Sequence, residues 1–101
     1  MNLVCNLSAI VPADRPRYKE LVSRLRSAVC ERRERGDGLE LRLDGDRISM
    51  AEVGEWIGME RLCCPFLTLQ VSASGSEPHW LLTLTGPEGV KPILEAEFPL
   101  G

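Results

Sequence analysis

The sequence predicts an α+β fold. It is a two-layer sandwich of element order β-α-β-α-β-β-α, with a four-stranded, mostly antiparallel sheet carrying three helices on one face. Three observations lead there. Leu39, Leu41 and Leu43 alternate with Glu40, Arg42 and Asp44, the period of a strand with one wet face. Tyr18, Leu21, Val22, Leu25 and Val29 recur at helical spacing. Two further alternating runs, Leu67 to Ala73 and Trp80 to Leu84, flank a Ser74–Pro78 turn and should pair as a hairpin.

In chain order, residues 2–11 alternate as a first strand, with Leu3, Cys5, Leu7 and Ala9 on one side and Val4, Asn6, Ser8 and Ile10 on the other. Asp14 can cap a first helix that runs to about Arg35 and stops at the Gly36-Asp37-Gly38 turn. The leucine-rich second strand follows. Ser49 and Glu52 have the spacing of a capping box, and Ile48 and Val53 that of a hydrophobic staple, so a second helix starts at about Met50. Pro65 ends it, because a proline disfavours helical geometry at the preceding residue; Cys63 closes the helix and Cys64 is extended. After the hairpin, Gly86-Pro87-Glu88-Gly89 opens a short last helix, with Val90, Ile93, Leu94 and Phe98 as its apolar contacts. Pro92 lies inside it and should kink it or delay its start.

The chain has 101 residues, is 44% hydrophobic and 27% charged, and reads as one α+β domain over 1–101 that can bury a core without disulfides or a structural metal. No apolar run is long enough for a membrane span, and the N-terminal stretch lacks a basic leader. The expectation is a cytoplasmic protein with reduced thiols and no membrane partner. A net charge of −3 argues against nucleic acid as a partner. Between Asp14 and Arg35 eight basic residues face four acidic ones, which reads most simply as a solvated helix face.

The chemistry concentrates in "GMERLCCPFLTLQV", residues 58–71. On a helix Glu60 lies over the same face as Cys63 and Cys64, three and four residues on. That face is otherwise apolar, so the carboxylate needs a partner: an arginine, a backbone donor, or a group that it orients. Cys5 points to the core side of the expected first strand. If that strand lies beside the helix-to-strand junction, Cys5, Cys63 and Cys64 converge, with Glu60 as outer-shell residue or fourth donor. Such a set suits Hg(II), As(III), Cu(I) or Zn(II).

Two other readings stand beside it. Cysteine often packs as a small hydrophobe, and the chain would then be a small, dimeric interaction module. A thiol redox protein could instead cycle a bond between Cys5 and one of the pair, given Cα atoms within roughly 7 Å. The C-terminal end of a helix disfavours a thiolate, which counts against a nucleophilic cysteine. His79, the one histidine, flanks a turn; with no second histidine to act as base and no Gly-rich phosphate loop, no complete catalytic set is present. Cys30 lies off the apolar stripe and should be the least buried thiol.

"ERLCCPFLTLQV", followed by "WLLTLTGPEGVKPIL", resembles a family of small bacterial proteins with a Glu-Arg-x-Cys-Cys-Pro-Phe core and a Leu-Thr-Gly-Pro-Glu-Gly-Val-Lys tail. "VCNLSAI" and the Arg-rich stretch after it also match, so the resemblance spans nearly the whole chain. It implies an association with mercury or arsenic resistance loci and with a metal-responsive regulator, and supplies no reaction. It singles out Cys5, Glu60, Arg61, Cys63, Cys64, Pro65, Phe66, Gly86 and Gly89, and leaves out Cys30. Pro92 departs from the helix-friendly residue expected there.

Overall fold

In the computed structural model, which describes residues 3–99, a four-stranded antiparallel sheet carries three helices on one face. The elements are α1 (Arg15–Ala28), β1 (Val29–Arg35), β2 (Gly38–Asp44), α2 (Met50–Cys63), β3 (Thr68–Ala73), β4 (His79–Thr85) and α3 (Val90–Glu97). The strands lie in the order β1-β2-β4-β3, each antiparallel to its neighbours. No helix is long and apolar enough to cross a membrane among the described residues.

The alternating leucines sit as their period requires. Leu39 faces Leu84 and Leu41 faces Leu82 across β2 and β4, and all four are buried. Leu69 and Val71 of β3 extend that row on the far side of β4. Against it pack Leu21 and Leu25 of α1, Val53 and Trp56 of α2, and Val90 and Leu94 of α3. Trp56 meets Phe98 edge-on, with ring centroids 6.1 Å apart. Gly38 begins β2 where the strands pass so closely that a Cβ would lie 1.8 Å from the Leu84 carbonyl oxygen, so only glycine fits.

The start of α2 follows the local rules. Glu52 N–H donates to the Ser49 hydroxyl and Ser49 N–H to the Glu52 carboxylate, the complete capping box. The helix ends at Cys63; Cys64 has left helical geometry but is not extended as expected, with φ −124° and ψ 74°.

Two assignments move, and with them the element order becomes α-β-β-α-β-β-α. The first helix stops at Ala28, and residues 29–35 form a strand on the edge of the sheet. Glu and Arg favour a helix by only a few tenths of a kcal/mol each, less than a full ladder against β2 supplies. The ladder also hides the period of two. Its register slips at Cys30, which becomes a bulge residue, and the inward positions are Val29 and Arg32.

The expected strand over 2–11 does not form; residue 2 lies outside the described residues. Residues 3–6 join no strand, Asn6 is extended, and a 3-10 turn spans Leu7–Ala9. The Asn6 carboxamide accepts from the backbone N–H and the hydroxyl of Ser8, and these local bonds compete with a strand. The alternation fails accordingly: Leu7 is exposed, while Ile10 is buried. Pro92 neither kinks nor delays α3. It occupies the third residue of the helix, where no i−4 hydrogen bond is lost.

Candidate functional site

The N-terminal segment that failed to become a strand still brings Cys5 to the end of α2. Asn6 N–H donates to the Cys63 carbonyl oxygen at 2.8 Å, which satisfies one of the free carbonyls at that helix end. Beside this bond Cys5 and Cys64 form a disulfide, with Cα atoms 4.6 Å apart and a sequence separation of 59. Cys63 is a free, buried thiol. The sulfurs of Cys5, Cys63 and Cys64 lie within 4.8 Å of one another. Ile10, Tyr18, Met59, Phe66 and Leu67 pack around them and form a second, smaller apolar cluster. Cys30 stands apart, exposed on β1, its sulfur directed at the Arg42 carbonyl oxygen.

Cys64 is the junction of two clusters. On one side are the other two sulfurs. On the other are Glu60 and Glu97, whose carboxylate oxygens lie within 4.8 Å of one another and of the Cys64 sulfur. Glu60 is fully buried, the one charged side chain in the core of the described residues. Its partner is neither an arginine nor a backbone donor: the Tyr18 hydroxyl donates to Glu60 Oε1 at 2.9 Å. Arg61, the neighbouring cation in sequence, is exposed. Glu60 Oε2 has no conventional hydrogen-bond donor. Burial first, and then hydrogen bonding to Glu60, push the Glu97 carboxyl up to about 9. A proton held on Glu97 can therefore serve the oxygen that is otherwise unpartnered.

The same environment keeps its neighbours neutral. Burial first and the Glu60 charge second raise the Tyr18 hydroxyl far above its ordinary value. Burial, then the Glu60 charge, also raise the Cys63 thiol. Cys63 is thus a protonated thiol at neutral pH and becomes a ligand by giving up that proton to a metal or base.

The four sequence-predicted residues, Cys5, Cys63, Cys64 and Glu60, are brought together, although Glu60 reaches only Cys64 among the sulfurs. Tyr18 and Glu97 are the two functional residues that pattern reading missed. Tyr18 lies on the apolar stripe of α1, where a hydroxyl raises the question of its partner. Glu97 falls seven residues after Val90 and three after Leu94, on the buried stripe of α3, which is a signal of the same kind. His79 begins β4, half-buried beside Glu77 and outside this site.

The cysteine cluster with its nearby acids is a candidate site for a metal ion or another thiol-directed ligand. Three sulfurs are a soft donor set, and they become available together once the Cys5–Cys64 bond is reduced. Comparison of the chain with protein-family models, with curated proteins and with solved structures finds no match.

Proposed function

We propose that this protein binds a single soft metal or metalloid ion, of the Hg(II), As(III), Cu(I) or Zn(II) class, through Cys5, Cys63 and Cys64 in their reduced form. The observation that carries the reading is the convergence of three sulfurs from distant parts of the chain within 4.8 Å. Three thiolates in an apolar pocket match soft ions in ligand type, and the hydrophobic surround keeps water from competing. Glu60 and Glu97 lie beside the Cys64 sulfur, where they border the ligand set on one side. The resemblance of "ERLCCPF" to proteins of metal-resistance loci agrees with this reading.

Native mass spectrometry of the reduced chain, titrated with Hg(II), As(III) or Zn(II) in excess competing thiol, tests it. The expected result is one ion per chain, lost in the Cys63→Ser/Cys64→Ser double variant. Binding that survives in that variant overturns the proposal.

The Cys5–Cys64 disulfide favours a second reading, a thiol redox protein, with Cys63 as a third sulfur within reach to resolve a mixed disulfide. Peptide mapping of the unreduced protein should find residues 5 and 64 linked. Its failure to do so would remove this reading and leave the metal reading standing.

A further inference from the structure

Beside Cys5 a groove of about 1010 Å³ runs between α1 and α3. Tyr18 and Val22 on one helix and Ile93 and Ala96 on the other make its walls largely apolar. Lys19 and Arg26 also line it. Among the described residues Lys19 enters no ion pair and the side chain of Arg26 makes one hydrogen bond, from Nε to the Glu97 carbonyl oxygen, at 2.7 Å. The cations on the outer face of α1, Arg17 and Arg24, are by contrast tied to Glu55 and Glu52 of α2. The groove thus combines apolar walls, two cations in no ion pair among the described residues, the Glu97 carboxyl, whose proton is held by burial, and one sulfur of a disulfide.

The two sulfurs of that disulfide differ in access. Cys5 is half-buried and lines the groove, whereas Cys64 is 0% exposed. We propose that the groove binds a small anionic thiol, a carboxylate-bearing compound of about tripeptide size, and directs its sulfur onto Cys5. Groove volume sets the size of the occupant, and Lys19 and Arg26 set its charge. In the reaction the incoming thiolate bonds to Cys5 Sγ, and the Cys5–Cys64 bond breaks with its electron pair on Cys64. The proton lost by the incoming thiol is balanced by the one that Cys64 gains. The incoming sulfur is oxidised to the mixed disulfide as Cys64 is reduced to a thiol, so no other oxidant is required. This activity rests on the sulfur–sulfur bond of the second reading and is independent of metal binding.

The test uses the full-length, disulfide-bonded chain in a Cys30→Ser background, which removes the exposed thiol outside the site. Glutathione and its uncharged-carboxyl diethyl ester are the probes, and samples taken over time are quenched with excess iodoacetamide, which caps the remaining probe and the released Cys64. Each rate is divided by that thiol's rate with a neutral small-molecule disulfide, which removes differences in intrinsic reactivity. Glutathione is expected to react about fivefold or more faster on this normalised scale. Peptide mapping should place the adduct on Cys5. Lys19→Glu, at an exposed position, should bring the ratio toward one, and Arg26→Gln should lower it. Equal normalised rates for the two probes, an adduct on Cys63 or Cys64, or a ratio unchanged in both variants would overturn the assignment. A chain in which residues 5 and 64 are not linked fails earlier, at the redox reading itself, so the two failures are distinguishable.

Discussion

At the scale of single residues, the most informative group is Glu97, a partly buried carboxyl beside the fully buried one of Glu60. Its proton is held more tightly in the folded chain than in the unfolded one, so folding takes up a proton between the two values. This contribution to stability is complete below about pH 4.5 and is lost progressively as pH rises through about 9. The slope cannot exceed about 1.4 kcal/mol per pH unit for one proton. Glu97→Gln keeps a donor toward Glu60 without the charge. Urea midpoints should therefore fall less steeply with pH in the variant, which becomes the more stable protein at the alkaline end of the range. Parallel curves for the two proteins would show that folding does not raise the Glu97 carboxyl. Cys63 titrates in the same surroundings. Its thiol is raised, so soft-metal affinity should climb as pH rises toward the alkaline range, where the proton is lost without help from the metal.

At the scale of elements, α2 decides where the chemistry sits. Its N-terminus is held by the Ser49–Glu52 capping box, and fourteen residues later its last turn presents Glu60 and Cys63 on the buried side. Ser49→Ala removes one side of the box and should cost about 1 kcal/mol, read as a lower midpoint in urea at unchanged slope. Stoichiometric metal binding by the reduced variant should persist well below its midpoint, because the altered cap lies at the opposite end of the helix from the sulfurs. The capping box, the Pro65 stop and the phase of the apolar face are local in sequence, so all of α2 was legible before the structure. β1 was not. Its strand geometry comes from pairing with β2, its bulge at Cys30 breaks the period of two, and one of its inward positions is Arg32, only 8% exposed. Nothing within residues 29–35 themselves distinguishes such a strand from the end of a charged helix.

At the scale of the whole molecule, the Cys5–Cys64 bond closes a loop across 59 residues of sequence, a span that contains α1, β1, β2 and α2. Constraining the unfolded chain over that length should stabilise the fold by about 4 kcal/mol on the chain-entropy estimate. Reduction, or Cys5→Ser in the oxidised protein, should lower the urea midpoint accordingly; a midpoint indifferent to reductant would show that the bond is not formed in solution. The Asn6–Cys63 backbone bond and the Ile10 contact with the sulfur cluster do not depend on the disulfide covalently, and in the reduced chain they should hold Cys5 within reach of its partners. A soft ion bound by all three sulfurs would restore part of the lost stability, because it reconnects the same distant segments.

The sequence by itself determined the α+β class, the helical face of α2, the hairpin of β3 and β4, and the placement of Glu60 beside Cys64. Each of these depends on residues within a turn or two of one another, where hydrophobic period, capping and proline geometry act directly. Only the tertiary structure decided that Cys5 joins Cys64, that Tyr18 and Glu97 attend to the buried Glu60, and that residues 29–35 pair as an edge strand. These contacts join segments separated by tens of residues, and their energies come from burial and pairing partners that no local pattern specifies.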